Sequence, residues 1–210
     1  MNEIQRQKSD ASLLLKELKR IDPNVHLSGG APRDWYLNKP CNDFDFYLSF
    51  GGALSMEEEI AIITKRFYTL PVACDMLNSF DLQNFALLVS QHGNATFTED
   101  DSEKLMMYTK MPGIRRIYDM KCGRQRFQII TFVDDHFTNN AVYDMSCSIC
   151  KISWDEVFIP TVDFLVTMQT KIIMKSMQYD WNHKHIQKML QRFVDDGSYS
   201  ITNSKTDFFV

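Results

Sequence analysis

The sequence predicts an α+β fold, a mixed β-sheet backed by helices and followed by a helical C-terminal portion. Three observations lead there. Short helical and strand patterns alternate over the first third of the chain. The centre holds two strand patterns facing each other across a glycine turn. From Thr161 onward the apolar spacing returns to the helical period. The predicted division is a catalytic core over residues 1–155 and a helical portion, residues 156–210, packed on the same module.

Residues 10–21 carry Leu13, Leu14, Leu15 and Leu18 among lysines, a helix capped by Ser9 or Asp10 and ended by Asp22-Pro23-Asn24. A short strand over 25–27 runs into Ser28-Gly29-Gly30. Pro32 suits the first turn of the next helix, which passes Trp35 and Leu37 and stops near Asn38-Lys39-Pro40. Residues 43–48 alternate acidic and aromatic side chains, a strand with one wet face. After Gly51-Gly52, residues 56–70 read as a helix with Glu57, Glu58 and Glu59 in a first turn that favours negative charge. The polar stretch 71–111 shows no pattern beyond a short helix around 104–108. Residues 114–120 and 126–132 form a hairpin turned at Lys121-Cys122-Gly123. A helical turn over 137–141, a strand over 143–153, and helices over 162–177 and 181–194 follow, the last ended near Gly197.

With 210 residues, 44% of them hydrophobic and 24% charged, the chain has enough apolar material for one sizeable core, and disordered or fibrous classes are set aside. A net charge of -4 and a pI of about 5.7 imply no whole-molecule attraction to nucleic acid. Locally, Lys104, Lys110, Arg115, Arg116, Lys121, Arg124 and Arg126 face Asp119 alone, either as a solvated hairpin face or as a phosphate-contacting edge. The odd count of five scattered cysteines and a polar N-terminus, unlike a signal or transit peptide, point to a reducing, cytoplasmic setting. No apolar run approaches the roughly 20 residues of a spanning helix, so no membrane partner is expected. Cys147 and Cys150 form a CxxC, but on a strand residues three apart face opposite ways. With His183 and His185 far along the chain, these thiols read as small core residues rather than zinc ligands. The methionines, Met168, Met174, Met177 and Met189 among them, read as adaptable core.

The chemistry sits in SGGAPRDWYLNKPCNDFDF, residues 28–46. Gly29 and Gly30 lack side chains and let backbone N–H groups approach a polyphosphate at a strand-to-helix turn. Asp43 and Asp45, two apart on a strand, share a face and aim at one point. Hard oxygen ligands of this kind suit Mg²⁺ bound together with substrate phosphates. Either feature alone is common; their conjunction, with Arg33-Asp34 between them, is specific.

GGAPRDWYLNKPCNDFDF closely resembles the head-domain signature of the bacterial poly(A) polymerase and class II CCA-adding (tRNA nucleotidyltransferase) family: Gly-Gly-x-x-Arg-Asp, a short helix ending in a basic/proline turn, then Asp-x-Asp. Gly29, Gly30, Arg33, Asp34, Asp43 and Asp45 match it. The resemblance implies a DNA polymerase beta-like nucleotidyltransferase fold, a nucleoside triphosphate substrate and chemistry with two Mg²⁺ ions, Mn²⁺ being the alternative. Asp43 and Asp45 would be metal ligands, and Ser28, Gly29 and Gly30 would cradle the triphosphate. Arg33 would brace the loop in an ion pair with Asp34 or touch phosphate or ribose.

The superfamily often adds a third carboxylate from a later strand. In RFQIITF, residues 126–132, Gln128 stands where a carboxylate could lie, and a glutamine binds metal poorly. Asp144 opens VYDMSCSICKI, an apolar strand expected beside the first two acids, and is the favoured catalytic and metal-binding third residue; the alternative is a strand cap facing water. Asp134 and Asp135 are weaker candidates. These strands also resemble small stand-alone nucleotidyltransferases, many from bacteriophages. DHFTNNAVYD resembles RRDFTINALAYD of the larger family but lacks its Arg-Arg, and the chain is too short for that family's tRNA-holding domains. Lys188 and Arg192, one turn apart in HIQKMLQRF, are either surface solvation or a substrate contact. RNA is the leading acceptor by resemblance; a protein or small-molecule acceptor, of toxin–antitoxin or defence type, and an inactive binding module are the alternatives.

Overall fold

A computed structural model describes residues 2–82, 113–133, 142–143, 145–177, 181, 184–195, 197–204 and 208–209. Helix α1 (Glu3–Leu18) starts earlier than the apolar pattern predicts. Its cap is Asn2, which accepts from the Gln5 N–H while the Gln5 side chain accepts from the Asn2 N–H. The first two turns are polar and carry no apolar stripe, which is why Ser9 and Asp10 had looked like the start. Strand β1 (His26–Ser28), helix α2 (Gly30–Tyr36) and strand β2 (Asp43–Leu48) follow. Helix α3 (Met56–Phe67) is shorter than the predicted 56–70 and opens with a Ser55/Glu58 capping box.

Strand β3 (Cys74–Asp81) lies in the stretch where the sequence showed no element, and it is an edge strand with a polar, half-exposed pattern. Strands β4 (Ile114–Cys122) and β5 (Gln125–Phe132) form the expected hairpin, turned at Gly123-Arg124 with Gly123 at φ +58. The predicted strand 143–153 is interrupted. It divides into β6 (Val142–Tyr143), a 3-10 turn (Ser146–Ser148) and β7 (Cys150–Ser153). β8 (Phe158–Pro160), α4 (Val162–Thr170), β9 (Ile172–Lys175), α5 (Lys184–Phe193), β10 (Ser200–Asn203) and β11 (Phe208–Phe209) complete the chain. The predicted helix 162–177 therefore stops early. Lys171 takes the left-handed conformation at φ 60, and the next four residues pair in parallel with β10. The predicted helices at 104–108 and 137–141 lie outside the described residues.

A seven-stranded sheet runs in the order β3-β4-β5-β2-β1-β7-β8, with β2 and β5 parallel and all other neighbours antiparallel. One face packs on α1, α2 and α3. Leu14, Leu15 and Leu18 from α1, Trp35 from α2, and Ile63 and Phe67 from α3 close over Leu27, Phe44, Phe46, Leu48, Tyr118, Phe127 and Ile129. Burial of this apolar surface supplies the main stabilisation. A second cluster packs Phe164, Met168, Ile186, Met189 and Phe193 of the C-terminal portion against Met145, Cys147 and Cys150, all buried. Met168 and Met189 are thus core residues, as expected, whereas Met177 is exposed. That portion is not wholly helical: β9 and β10 form a two-stranded parallel sheet within it.

Candidate active site

Alternation along β2 sends Phe44, Phe46 and Leu48 into the helix-covered core and leaves Asp43 and Asp45 on the opposite face. Both ends of β2 are held by buried polar side chains. Before it, Gln7 of α1 donates to the Cys41 carbonyl at 2.7 Å and accepts from the Cys41 N–H at 3.0 Å and the Trp35 Nε1–H at 3.3 Å. After it, Asp22 accepts from the Ser49 N–H at 2.8 Å and from the Asn24 N–H at 2.8 Å. Each buried donor is satisfied, so the strand carrying the two acids has little freedom to slide.

Gly29 takes φ 75 and ψ -130 and caps α2. A Cβ on it would sit 2.9 Å from Asp45 Oδ2, so the glycine turn and the carboxylate are in direct apposition. The Ser28 hydroxyl donates to the Cys150 carbonyl at 3.0 Å, locking β1 to β7.

Register extends the site across the sheet. Residues opposite one another in a ladder share a face, and pairing lines up Lys151, Ser28, Asp45, Gln128, Asp119 and Asn78 in one row. Asp43, Arg126, Lys121 and Asp75 form the row beside it. Gln128 is therefore the neighbour of Asp45 on β5, and its amide nitrogen donates to Asp119 Oδ1. The strand expected beside the two acids is not next to β2: β6 pairs with β11, and β7 pairs with β1. Asp144, Asp134 and Asp135 lie outside the described residues.

Arg33 and Asp34 belong to a buried brace. Arg33 Nε donates to Asp34 Oδ1 at 2.9 Å and Nη1 to Ser148 Oγ at 3.2 Å, while Arg192 reaches Asp34 Oδ2 at 2.9 Å. This ties α2 to α5, in line with the loop-bracing role expected of Asp34, and it occupies the Arg192 guanidinium. Lys188 is exposed. The basic stretch divides in two. Arg115 and Arg116 turn inward to Glu59, at 3.4 and 2.7 Å, and Arg116 also binds Asp81 at 2.9 Å. They are neither a solvated face nor a phosphate edge, because a fully buried carboxylate needs them. Lys121, Arg124 and Arg126 remain exposed; Lys104 and Lys110 lie outside the described residues.

The donor set fits a hard divalent cation. Two carboxylates share one face against a glycine turn, although among the described residues no group of three or more His, Cys, Asp or Glu gathers at one point. Such a pair suits Mg²⁺ completed by substrate phosphates. A cleft of about 420 Å³ between Ala11, Leu15, Trp35, Tyr36, Ile152 and Phe158 opens on the helix-covered side of the sheet, away from the two acids. Gln7, Asp22 and Lys151 were missed by sequence reasoning, and Asp119 was read only as a charge opposing the basic stretch. None stands in a motif, and only pairing and burial reveal them.

No protein-family model and no curated protein sequence matches the chain. Among solved structures, an apo CCA-adding enzyme is similar with a TM-score of 0.51 and 15% identity, covering 93% of this chain and 39% of that one. A CCA-adding enzyme in complex with ATP gives a TM-score of 0.51 and 13% identity over 94% and 40%. The fold is shared with CCA-adding enzymes. The expected α+β fold, a mixed β-sheet backed by helices, is borne out, and the chain spans about two fifths of the length of those structures. Among the described residues no helix is long and apolar enough to cross a membrane.

Proposed function

We propose that the protein is a Mg²⁺-dependent nucleotidyltransferase that moves a nucleoside monophosphate from a nucleoside triphosphate to an acceptor hydroxyl, with RNA, such as a tRNA 3′ end, as acceptor. The observation that carries the reading is the apposition of Gly29 and Asp45, with Asp43 on the same face. The ATP complex of a structural neighbour is consistent with a nucleotide substrate. In the reaction the acceptor oxygen bonds to the α-phosphorus, the bond to the bridging oxygen breaks, and its electron pair leaves with pyrophosphate. The hydroxyl proton passes to solvent. Asp43 and Asp45 would hold two Mg²⁺, which when bound neutralise phosphate charge and lower the pKa of the attacking hydroxyl. Asp144 is the proposed third carboxylate. The chain's own contribution is positioning: a strand clamped by Gln7 and Asp22 presents the acids, and a glycine turn brings backbone N–H groups close. Five free cysteines fit a cytoplasmic setting.

A second reading keeps the chemistry and changes the acceptor to a protein or small molecule. The inward turn of Arg115 and Arg116 favours it, since it shrinks the basic edge available to RNA. Incubation with each labelled nucleoside triphosphate, Mg²⁺, cellular RNA and cellular protein, beside an Asp43→Ala/Asp45→Ala control, tests both. Label in RNA from the wild type alone supports the first, and label in protein the second. Loss of metal-dependent nucleotide binding altogether would leave an inactive binding module.

A further inference from the structure

Resting on the nucleotidyltransferase reading, we propose that Lys151 is a triphosphate-binding residue, gripping the β- and γ-phosphates on the side of the glycine turn opposite Asp45. Lys151 pairs with Ser28 on one side of β1, and Asp45 pairs with Ser28 on the other. All three therefore face the same way, with the lysine and the carboxylate two strand spacings apart, about 10 Å. The residue between them leads directly into the Gly29 turn. A polyanion laid across that turn would have carboxylate-bound cations at one end and the lysine stem within reach of the other.

The state of Lys151 calls for an anion. Its side chain is half-buried, and among the described residues it has neither a hydrogen bond nor an ion pair. Burial pushes its pKa down, as for an ammonium removed from water without a counter-charge. Several arginines with little exposure are each matched by a carboxylate: Arg33 has Asp34, Arg115 and Arg116 have Glu59, and Arg192 has Asp34. The aromatic neighbour on its own face, His26, is buried and held at a pKa of about 4, so near neutral pH it is an uncharged ring and no counter-charge for the lysine. A half-desolvated cation beside a phosphate cradle is a charge waiting for its ligand, and a triphosphate supplies it.

Calorimetric titration of Mg²⁺-loaded protein with inorganic tripolyphosphate, ATP and adenosine, on the wild type, Lys151→Met and Lys151→Arg, tests the assignment. Lys151→Met is expected to weaken tripolyphosphate and ATP binding by about tenfold or more. Adenosine binding should stay unchanged, and Lys151→Arg should recover most of the loss. The melting temperature of Lys151→Met should equal or exceed that of the wild type, because an unpaired buried charge is removed. Wild-type tripolyphosphate affinity in a folded Lys151→Met protein overturns the assignment alone. Equal weakening in both variants with a lowered melting temperature overturns it in favour of a structural role. Absence of ATP and tripolyphosphate binding in the wild type overturns it together with the nucleotidyltransferase reading.

Discussion

Replacing Gly29 by alanine separates positioning of Asp45 from stability. The new Cβ would lie 2.9 Å from Asp45 Oδ2, and ordinary contact begins near about 3.5 Å, so the carboxylate must retreat by roughly half an ångström. A flexible side chain makes that retreat easy for folding, but it moves the atom that would hold the metal. The backbone adds its own strain, since φ 75 with ψ -130 is glycine territory, at about 1–3 kcal/mol. For a chain of this size that is a fall in melting temperature of about 2–12 °C. If a displacement of about 1 Å costs roughly a hundredfold in rate, half of it costs about tenfold. Single-turnover transfer from labelled nucleoside triphosphate, with the Mg²⁺ concentration varied, reads the loss directly. Gly30→Ala is the control: among the described residues its Cβ meets only Arg33 Nη2, at 3.5 Å, and the position is helical. Alanine there should be neutral or slightly stabilising. Equal loss in the two variants, or unchanged transfer in Gly29→Ala, would refute the argument.

Three further outcomes are expected. Glu59→Ala leaves Arg115 and Arg116 without their shared carboxylate and removes the acceptor of the Tyr118 hydroxyl, 2.5 Å away; a loss of about 3–5 kcal/mol should appear in urea melts, with a smaller loss for Glu59→Gln. His26 is held at a pKa of about 4, against 6.5 in the unfolded chain, by burial first and by Lys151 second. Because the unfolded chain then binds the extra proton, stability is full above pH 6.5 and falls by about 3 kcal/mol down to pH 4; denaturant melts across that window should lose this dependence in His26→Gln. Asp144→Asn should reduce transfer by about a hundredfold or more if Asp144 supplies the third carboxylate, and transfer at the wild-type rate would remove it from the site.

Strand β2 was legible to the residue, because alternating acids and aromatics are a local signal that tertiary context did not override. The start of helix α3 was legible for the same kind of reason, with three acids in its first turn. The segment after α4 was not. Ile172, Ile173 and Met174 continue an apolar run that suits helix or strand, and the choice fell to a partner, β10, more than twenty residues further on. The break within 143–153 is similar, since nothing local marks the 3-10 turn at Ser146–Ser148.

The same division holds for the candidate site. Gly29, Gly30, Asp43 and Asp45 act through spacing along one short stretch of chain, and spacing is written in the sequence. Burial of Arg33, Arg115 and Arg116, the clamps at Gln7 and Asp22, and the row from Lys151 to Asp119 depend on which strands lie side by side. Backbone periodicity is a property of neighbours in sequence, so the chain alone determined the acids and the turn. Register and burial are properties of neighbours in space, so only the tertiary structure decided what surrounds them.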